Sequence, residues 1–330
     1  MKKVESLDTQ IMRKLPLKNK SFQYIEKSFR EWLDILGYAE STVYNLPNHI
    51  RELFYFLEQN NINNINQLDN GIIKEHYNNL KLRSNDRKGG ALSNGSLNKH
   101  LQALYKFTEY LRQSGRMILP TLNIDWENDD TKHIETLTTE EIQQLYKATQ
   151  LYPKNIKYTK PHYFFEAIAL RDCAMLTVFY GCGLRRNEGY HLRVDDINFD
   201  KQILHVRKGK ANKERLVPFN KTNSKYLQDY VYDGRINLIK DKRESAFFIN
   251  ERGNRLTAQS MSIRLKLLQQ RTHDLQLQEK NVRLHVLRHS IATHLLSNGM
   301  PLENISRFLG HNSLESTQVY THLINQEDGN

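Results

Sequence analysis

The chain has 330 residues, 38% of them hydrophobic, which suits two globular domains with ordinary cores. No apolar run approaches the roughly 18 residues that a membrane helix needs, and Met1 to Gln10 carries lysines without the apolar stretch of a secretory signal, so neither a membrane-spanning nor an exported chain is expected. A net charge of +11 and a pI near 9.4 favour a polyanionic partner, because Lys and Arg neutralise phosphates; a lysine-rich, merely soluble surface is the bland alternative.

Residues 1–20 read as a basic, weakly structured lead-in. The spacing of Phe22, Ile25, Phe29, Trp32, Leu33 and Leu36 predicts a helix that Gly37 ends. Val43, Leu46, Ile50, Leu53, Phe54 and Leu57 predict a second, from about Ser41 to Gln59, with Pro47 in its first turns, where proline costs least. After an Asn-rich loop, a shorter helix is expected near Gly71 to Leu82. Residues 83–95 form a polar loop in which Arg83, Arg87 and Lys88, beside Gly89 and Gly90, suit either phosphate contacts or a plain solvated surface. Ser93 is placed to cap a helix running to Ser114, with Leu97, Leu101, Leu104, Phe107 and Leu111 as its core stripe. These elements make a small helical domain over 21–116, followed by an exposed linker over 117–136 with Pro120, Asp125, Glu127, Asp129 and Asp130.

The second domain, 137–330, opens on a capping-box pattern at Thr138-Thr139-Glu140-Glu141. An apolar helix, Ala174 to Tyr180, leads into Gly183-Leu184-Arg185-Arg186-Asn187-Glu188. Arg185 and Glu188 stand three apart at a helix start, where a carboxylate can orient a guanidinium, although most such pairs are surface salt bridges. Cys173 and Cys182 fall in this apolar region and read as buried thiols of a reducing cytoplasm. Ile203 to Lys208 and Arg215 to Phe219 predict a hairpin around the turn-rich Gly209-Lys210-Ala211-Asn212-Lys213, whose bland reading is a basic ribbon on DNA backbone. A further short strand is expected over Ala246 to Asn250. His285 and Arg288 share one face of a helix backed by Val286, Leu287, Ile291 and Leu295, while His289 and His294 read as structural. Gly299 stops that helix, Pro301 starts another ending at Gly310, His311 falls in the next loop, and a third helix from Ser313 carries Tyr320. Two imidazoles, a guanidinium and a phenol are thereby brought within reach of one another. No carboxylate or Cys/His set has metal-ligand spacing, so neither a metal nor another cofactor is expected. The fold class is mainly α with a small antiparallel β-sheet.

In order, the chain reads Gly-Leu-Arg-x-x-Glu, Gly-Lys-x-Asn-Lys-Glu-Arg-x-Val-Pro, His-x-x-Arg-His, Leu-Gly-His and a tyrosine nine residues past that last histidine. This ordered set resembles the tyrosine recombinases, or phage integrases, and most closely their Xer-type members, over nearly the whole chain. The resemblance implies a helical, SAM-like core-binding domain over 21–116 and an α+β catalytic domain over 137–330. It makes Tyr320 the nucleophile, Arg185 and Arg288 the catalytic arginines, His285 and His311 the two histidine positions, Lys210 the hairpin lysine, and Glu188 the acid behind the first arginine. Arg83, Arg87, Lys88, Lys208, Lys213 and Arg215 stand as candidates for DNA contact. The implied activity is site-specific recombination of double-stranded DNA through a 3′-phosphotyrosyl link and a Holliday junction, one strand per subunit, without ATP, metal or cofactor. The implied assembly is a homotetramer on two DNA sites with paired inverted core sequences, built from a chain that is monomeric in solution, cytoplasmic and nucleoid-associated.

Elementary chemistry suits those roles. Two guanidinium forks can bind the non-bridging oxygens of a phosphodiester as their charge grows. A phenol of pKa near 10 attacks only if its proton is taken, and His285 is the expected acceptor. His311 would bond the phosphate, and Lys210 would protonate the leaving 5′-oxygen. The chain departs from the family pattern at Arg186 and Asn187, where small or polar residues are usual, at Gly189, where an apolar one is common, and at Ala211, which replaces a frequent glycine. Only Thr321 to Asn330 follow Tyr320, where Xer-type relatives carry a longer helix that docks on a neighbouring subunit, so a reduced or different neighbour contact is expected. Other readings are a type IB topoisomerase-like enzyme, which relaxes supercoils without exchanging partners, and a non-catalytic DNA-binding protein that kept the fold. An RNA-binding helical protein rests on charge alone.

Overall fold

The computed structural model describes residues 15–84, 89–128, 134–151, 161–207, 214–310, 317, 318 and 320. The chain divides into two compact units, Met1–Lys132 and His133–Asn330.

In the first unit, α1 (Lys20–Ile35) starts where the Asn19 side chain accepts from the Ser21 and Phe22 amides. It is followed by α2 (Glu40–Gln59), α3 (Asn70–Leu82), which Asp69 caps, and α4 (Asn94–Gln113), which Ser93 caps as predicted. The apolar stripes meet in an aromatic core, with Phe22 stacked on Phe54 at 4.8 Å and Phe107 edge-on to Phe54 at 5.5 Å. Pro47 lies deeper in α2 than its first turn, so the amide that would bond the Val43 carbonyl is missing there. The stretch read as an exposed linker is docked on this unit as far as residue 128. Leu122 is buried, the Tyr105 hydroxyl donates to the Leu122 and Ile124 carbonyls at 3.1 Å, and the Asn98 side chain bonds the backbone of Glu127. Burying Leu122 and pairing these carbonyls outweighs the acidic character of the segment.

The second unit begins with α5 (Thr139–Ala148), where Thr138 and Glu141 form the predicted capping box. Helix α6 (His162–Leu176) runs on through a π turn, Thr177–Gly181, and ends at Gly183 with φ +60°. After α7 (Arg186–His191) comes a three-stranded antiparallel sheet in the order β1 (Ile197–Asn198), β2 (Ile203–Val206), β3 (Arg215–Pro218), with Leu204 opposite Val217. The predicted hairpin is therefore present, while β1 is too short to show a pattern in sequence. Ala246 to Asn250 does not form a regular strand: it makes isolated bridges, Arg193 to Ala246 and Ile249 to Arg255, and its Phe247, Phe248 and Ile249 fill the core. The apolar run there records burial rather than ladder pairing. Helices α8 (Lys221–Asp229), α9 (Arg235–Leu238), α10 (Ala258–Arg271) and α11 (Leu275–Glu279) pack around that core. Helix α12 (Leu284–Ser297) and α13 (Leu302–Leu309) follow, and Thr317, Gln318 and Tyr320 are helical. Cys173 and Cys182 are buried free thiols, as expected. Among the described residues no helix is long and apolar enough to cross a membrane.

Candidate active site

The site is assembled on the carboxyl end of α13. Three successive carbonyls there accept from three guanidiniums: Phe308 O from Arg215 Nε at 3.1 Å, Leu309 O from Arg288 Nη2 at 2.7 Å, and Gly310 O from Arg185 Nη2 at 2.8 Å. The last carbonyls of a helix lack partners within it and form the negative end of its dipole, so cations are favoured at this place. Gly310 closes the helix at φ +66°, and a Cβ there would meet Arg215 Cδ at 2.7 Å. Glycine therefore supplies both the left-handed turn and the room for an arginine to pass.

Glu188, on the first turn of α7, is buried between two of these arginines. Arg215 grips it through both forks, Nη1 to Oε1 at 2.9 Å and Nη2 to Oε2 at 2.8 Å. Arg185 adds Nη1 to Oε1 at 2.8 Å and its own amide to Oε2 at 2.8 Å. Burial alone would raise the Glu188 pKa, but the hydrogen bonds and charge of Arg215, then those of Arg185, outweigh it and hold the carboxyl at about 2. The predicted Arg185–Glu188 pair is thus no surface salt bridge. Arg215 departs from its expected place as a DNA-contacting cation, since its guanidinium is turned inward onto Glu188 and α13. Nothing in the local spacing signals this, because Arg215 and Glu188 lie 27 residues apart and only the hairpin brings them together.

Arg288 is 3% exposed and donates to the Gly183 and Leu309 carbonyls. Desolvation, then the neighbouring Arg185 charge, lowers its pKa while leaving a guanidinium charged at neutral pH. Gly183 and the Gly189 position explain two features of the motif. A Cβ on Gly183 would press on Leu309 Cδ2 at 2.9 Å, and one on Gly189 would lie 2.5 Å from the Phe179 ring. The apolar side chain expected at position 189 is replaced in space by Phe179.

Tyr320 is buried beside Ala292, Ile305 and Leu309, and its hydroxyl lies 2.9 Å from His289 Nδ1. Burial raises the phenol pKa, and the Arg288 and Arg185 charges act against that rise. His289, read from sequence as structural, is therefore the imidazole at the phenol; desolvation, then His285 and Arg288, keep its pKa near 4, so the ring that pairs with the phenol hydroxyl is neutral at pH 7. It lies one turn from His285, with ring centroids 6.5 Å apart, and that one-turn spacing in His-x-x-Arg-His was the available signal. His285 is exposed, and desolvation, then Arg288, Arg186 and Arg185, lowers its pKa as well. The other structural histidine, His294, bonds the Tyr180 hydroxyl at 2.9 Å.

Lys210, His311, Arg87, Lys88, Lys208 and Lys213 lie outside the described residues. Arg83, in the first unit, pairs with Glu52 at 2.6 Å. Within the second unit, Arg185, Glu188, Arg288, His285 and Tyr320 are brought to one region, with Arg215 and His289 added. Inward-facing guanidiniums beside a phenol paired with a neutral imidazole make a site suited to an anionic group.

A family model described as the phage integrase family matches residues 135–327. The tyrosine recombinase XerD of Lacticaseibacillus casei is 35% identical over 243 residues, covering 73% of this chain and 75% of that protein. The tyrosine recombinase XerD of Oceanobacillus iheyensis is 34% identical over 233 residues, covering 70% and 72%. In fold, the chain matches the XerH site-specific recombinase bound to a palindromic difH substrate, in its post-cleavage complex, with a TM-score of 0.64 at 20% identity over 93% of this chain and 82% of that one.

Proposed function

The chain belongs to the phage integrase family, among the Xer-type tyrosine recombinases, and from that premise we propose that it cuts and rejoins duplex DNA with Tyr320 as nucleophile. The Tyr320 oxygen attacks a backbone phosphorus, its proton passes to an imidazole, and the phosphorus–O5′ bond breaks. The 3′ end stays on Tyr320 as a phosphotyrosine, and a free 5′-hydroxyl leaves after protonation by Lys210. Attack by the partner strand's 5′-hydroxyl reverses these steps. One ester replaces another, so ATP has no part in the balance and no metal step is invoked.

Arg185 and Arg288 donate to the non-bridging oxygens, where charge grows as phosphorus becomes five-coordinate, and His311 bonds the same group. Glu188 and Arg215 act through Arg185 as positioning residues. The expected acceptor His285 remains a candidate, but His289 now competes for that role because its Nδ1 lies at the phenol. The helical region 21–116 is assigned to DNA binding and 137–330 to catalysis. One strand per subunit is exchanged, through a Holliday junction, by a homotetramer on two sites of paired inverted cores in the cytoplasm, at the nucleoid. The neighbour of like fold is a recombinase held on its DNA substrate, which accords with duplex DNA as partner.

The observation that carries this reading is the meeting of the Arg185 and Arg288 guanidiniums with a buried phenol bonded to a neutral imidazole. The test incubates the protein with nicked duplexes tiled across the DNA that flanks its gene. Wild type should leave an SDS-resistant protein–DNA adduct, and Tyr320→Phe should retain the mobility shift but form no adduct. An undiminished adduct from that variant overturns the assignment.

A further inference from the structure

The first unit holds a half-buried and a buried histidine that the recombination chemistry does not use. His49 and Glu52 stand three apart on α2 and so share a face, and His100 of α4 packs against them. The two imidazole centroids are 4.2 Å apart. One ring nitrogen of each histidine and a Glu52 oxygen all lie within 4.8 Å of one another. His100 is 5% exposed, and the Nδ1 atoms of His49 and His100 are both buried without a hydrogen-bond partner. A buried polar atom left unpaired is unfavourable, and this pair of histidines carries two, while His100 turns its other ring nitrogen, Nε2, towards Glu52 Oε2 at 4.0 Å. Local spacing does not announce this set, because its histidines are 51 residues apart and fit no metal motif.

We propose that His49, Glu52 and His100 are the ligands of a divalent metal ion of the zinc class, and that this ion and Arg83 compete for Glu52. Two imidazoles and one carboxylate form a donor set suited to zinc, with one position of a tetrahedron left for water. All-oxygen sites suit magnesium and calcium, so the imidazoles choose the softer ion. Zinc ligands sit about 2.0–2.2 Å from the ion, so the side chains close inward on binding. Arg83 Nη1 holds Glu52 Oε2 at 2.6 Å, and the same oxygen lies 4.0 Å from His100 Nε2. An ion bridging that gap takes the carboxylate from Arg83 and frees its guanidinium, at the start of the loop read as a phosphate-binding segment.

The test uses the full chain stripped with EDTA and titrated with zinc chloride against a chromophoric chelator, and with cobalt(II) chloride read by visible absorption. One equivalent of zinc should bind, and cobalt should give the intense visible bands of a four-coordinate site with nitrogen ligands. His100→Gln and His49→Gln should each weaken zinc at least 100-fold, whereas His162→Gln, on an exposed histidine of the second unit, should not change it. Arg83→Met should tighten zinc several-fold, an effect expected only if Glu52 is shared. The proposal is overturned if wild type shows no such cobalt spectrum, if zinc affinity is unchanged in both ligand variants, or if Arg83→Met leaves affinity unmoved. The cobalt spectrum of wild type decides the matter even if a variant fails to fold.

Discussion

Replacing Glu188 with glutamine keeps the size of the side chain and removes its charge from between Arg185 and Arg215. The carboxyl is held at about 2 against an ordinary value of 4.5. At about 1.4 kcal/mol per pH unit, that difference stabilises the folded second unit by about 3 kcal/mol at pH 7. Mutational experience with buried ion pairs gives about 3–5 kcal/mol for losing one partner, because the remaining charge is left buried. The two routes agree on a loss of about 3 kcal/mol, with glutamine at the low end since its oxygen can still accept from one guanidinium. The sign with pH is fixed by the direction of the shift. A depressed carboxyl contributes stability that is whole above its unfolded pKa and is lost as pH falls towards the folded one. By pH 3 about 2 kcal/mol of it should be gone from wild type, so the gap between wild type and Glu188→Gln should shrink to about 1 kcal/mol.

Guanidinium unfolding of the full chain at both pH values measures this. Trp32 and Trp126 are the only tryptophans, and both lie in the first unit, so their fluorescence reports that unit. Circular dichroism at 222 nm then follows the second transition, which should move while the tryptophan transition stays put. Adduct formation should slow about 100-fold as Arg185 loses its support, on the scale of losing one preorganised donor. A stability loss under about 1 kcal/mol at pH 7, or an equal gap at pH 3 and pH 7, would refute the reasoning, since either result means that the charge of Glu188 is not what the arginines hold.

Two other perturbations probe the same site. His289→Gln removes the imidazole at the phenol and should lower adduct formation about 100-fold; with wild type, the rate should persist as pH falls below 6.5 and drop only as it nears the His289 pKa of about 4. If His285→Gln alone abolishes the adduct and His289→Gln is silent in a single-turnover assay, the proton goes to His285 instead. Gly189→Ala places a Cβ where the Phe179 ring stands 2.5 Å away and should destabilise the second unit by about 1–3 kcal/mol; thermal melts should show recovery in the double variant with Phe179→Leu, and no loss in the single variant would mean that the ring has room to yield.

What could be read before folding was whatever depends on neighbours in sequence. The helices of the first unit followed from apolar spacing because each buries one face, and Ser93 and Thr138 marked their helix starts because a side-chain oxygen must meet an orphan amide close by. Arg185 and Glu188 were legible as a pair for the same local reason. The role of Arg215 was not, since a basic residue on a hairpin looks alike whether it faces a phosphate or a buried carboxylate. His289 reads as structural because a lone histidine on a helix usually is, and only the fold places the Tyr320 hydroxyl 2.9 Å from its Nδ1. The stretch after Gly115 is largely exposed, as its charges suggest, but buried Leu122 and the Tyr105 and Asn98 hydrogen bonds, which join residues distant in sequence, hold it to the first unit.

The arginine-rich site also raises a question of electrostatics: which counter-charges hold its like charges together. The answer lies in two different counter-charges. Glu188 offers a full negative charge, but its hydrogen bonds go to Arg215 and Arg185. Arg288 instead rests on the Gly183 and Leu309 carbonyls, that is, on the dipole end of α13 and the turn after α6. A helix terminus amounts to about half a charge, enough to orient a guanidinium but too little to neutralise it. Burial, then the like charge of Arg185, pulls the Arg288 pKa down, and the Glu188 charge only partly offsets this. A phosphodiester supplies the missing charge without displacing the carbonyls, because each guanidinium has further N–H donors to give. Fixing the arginines to backbone and to one carboxylate preorganises their remaining donors, and under the proposed function that preorganisation is the condition for stabilising a transition state rather than merely reorganising around a ligand.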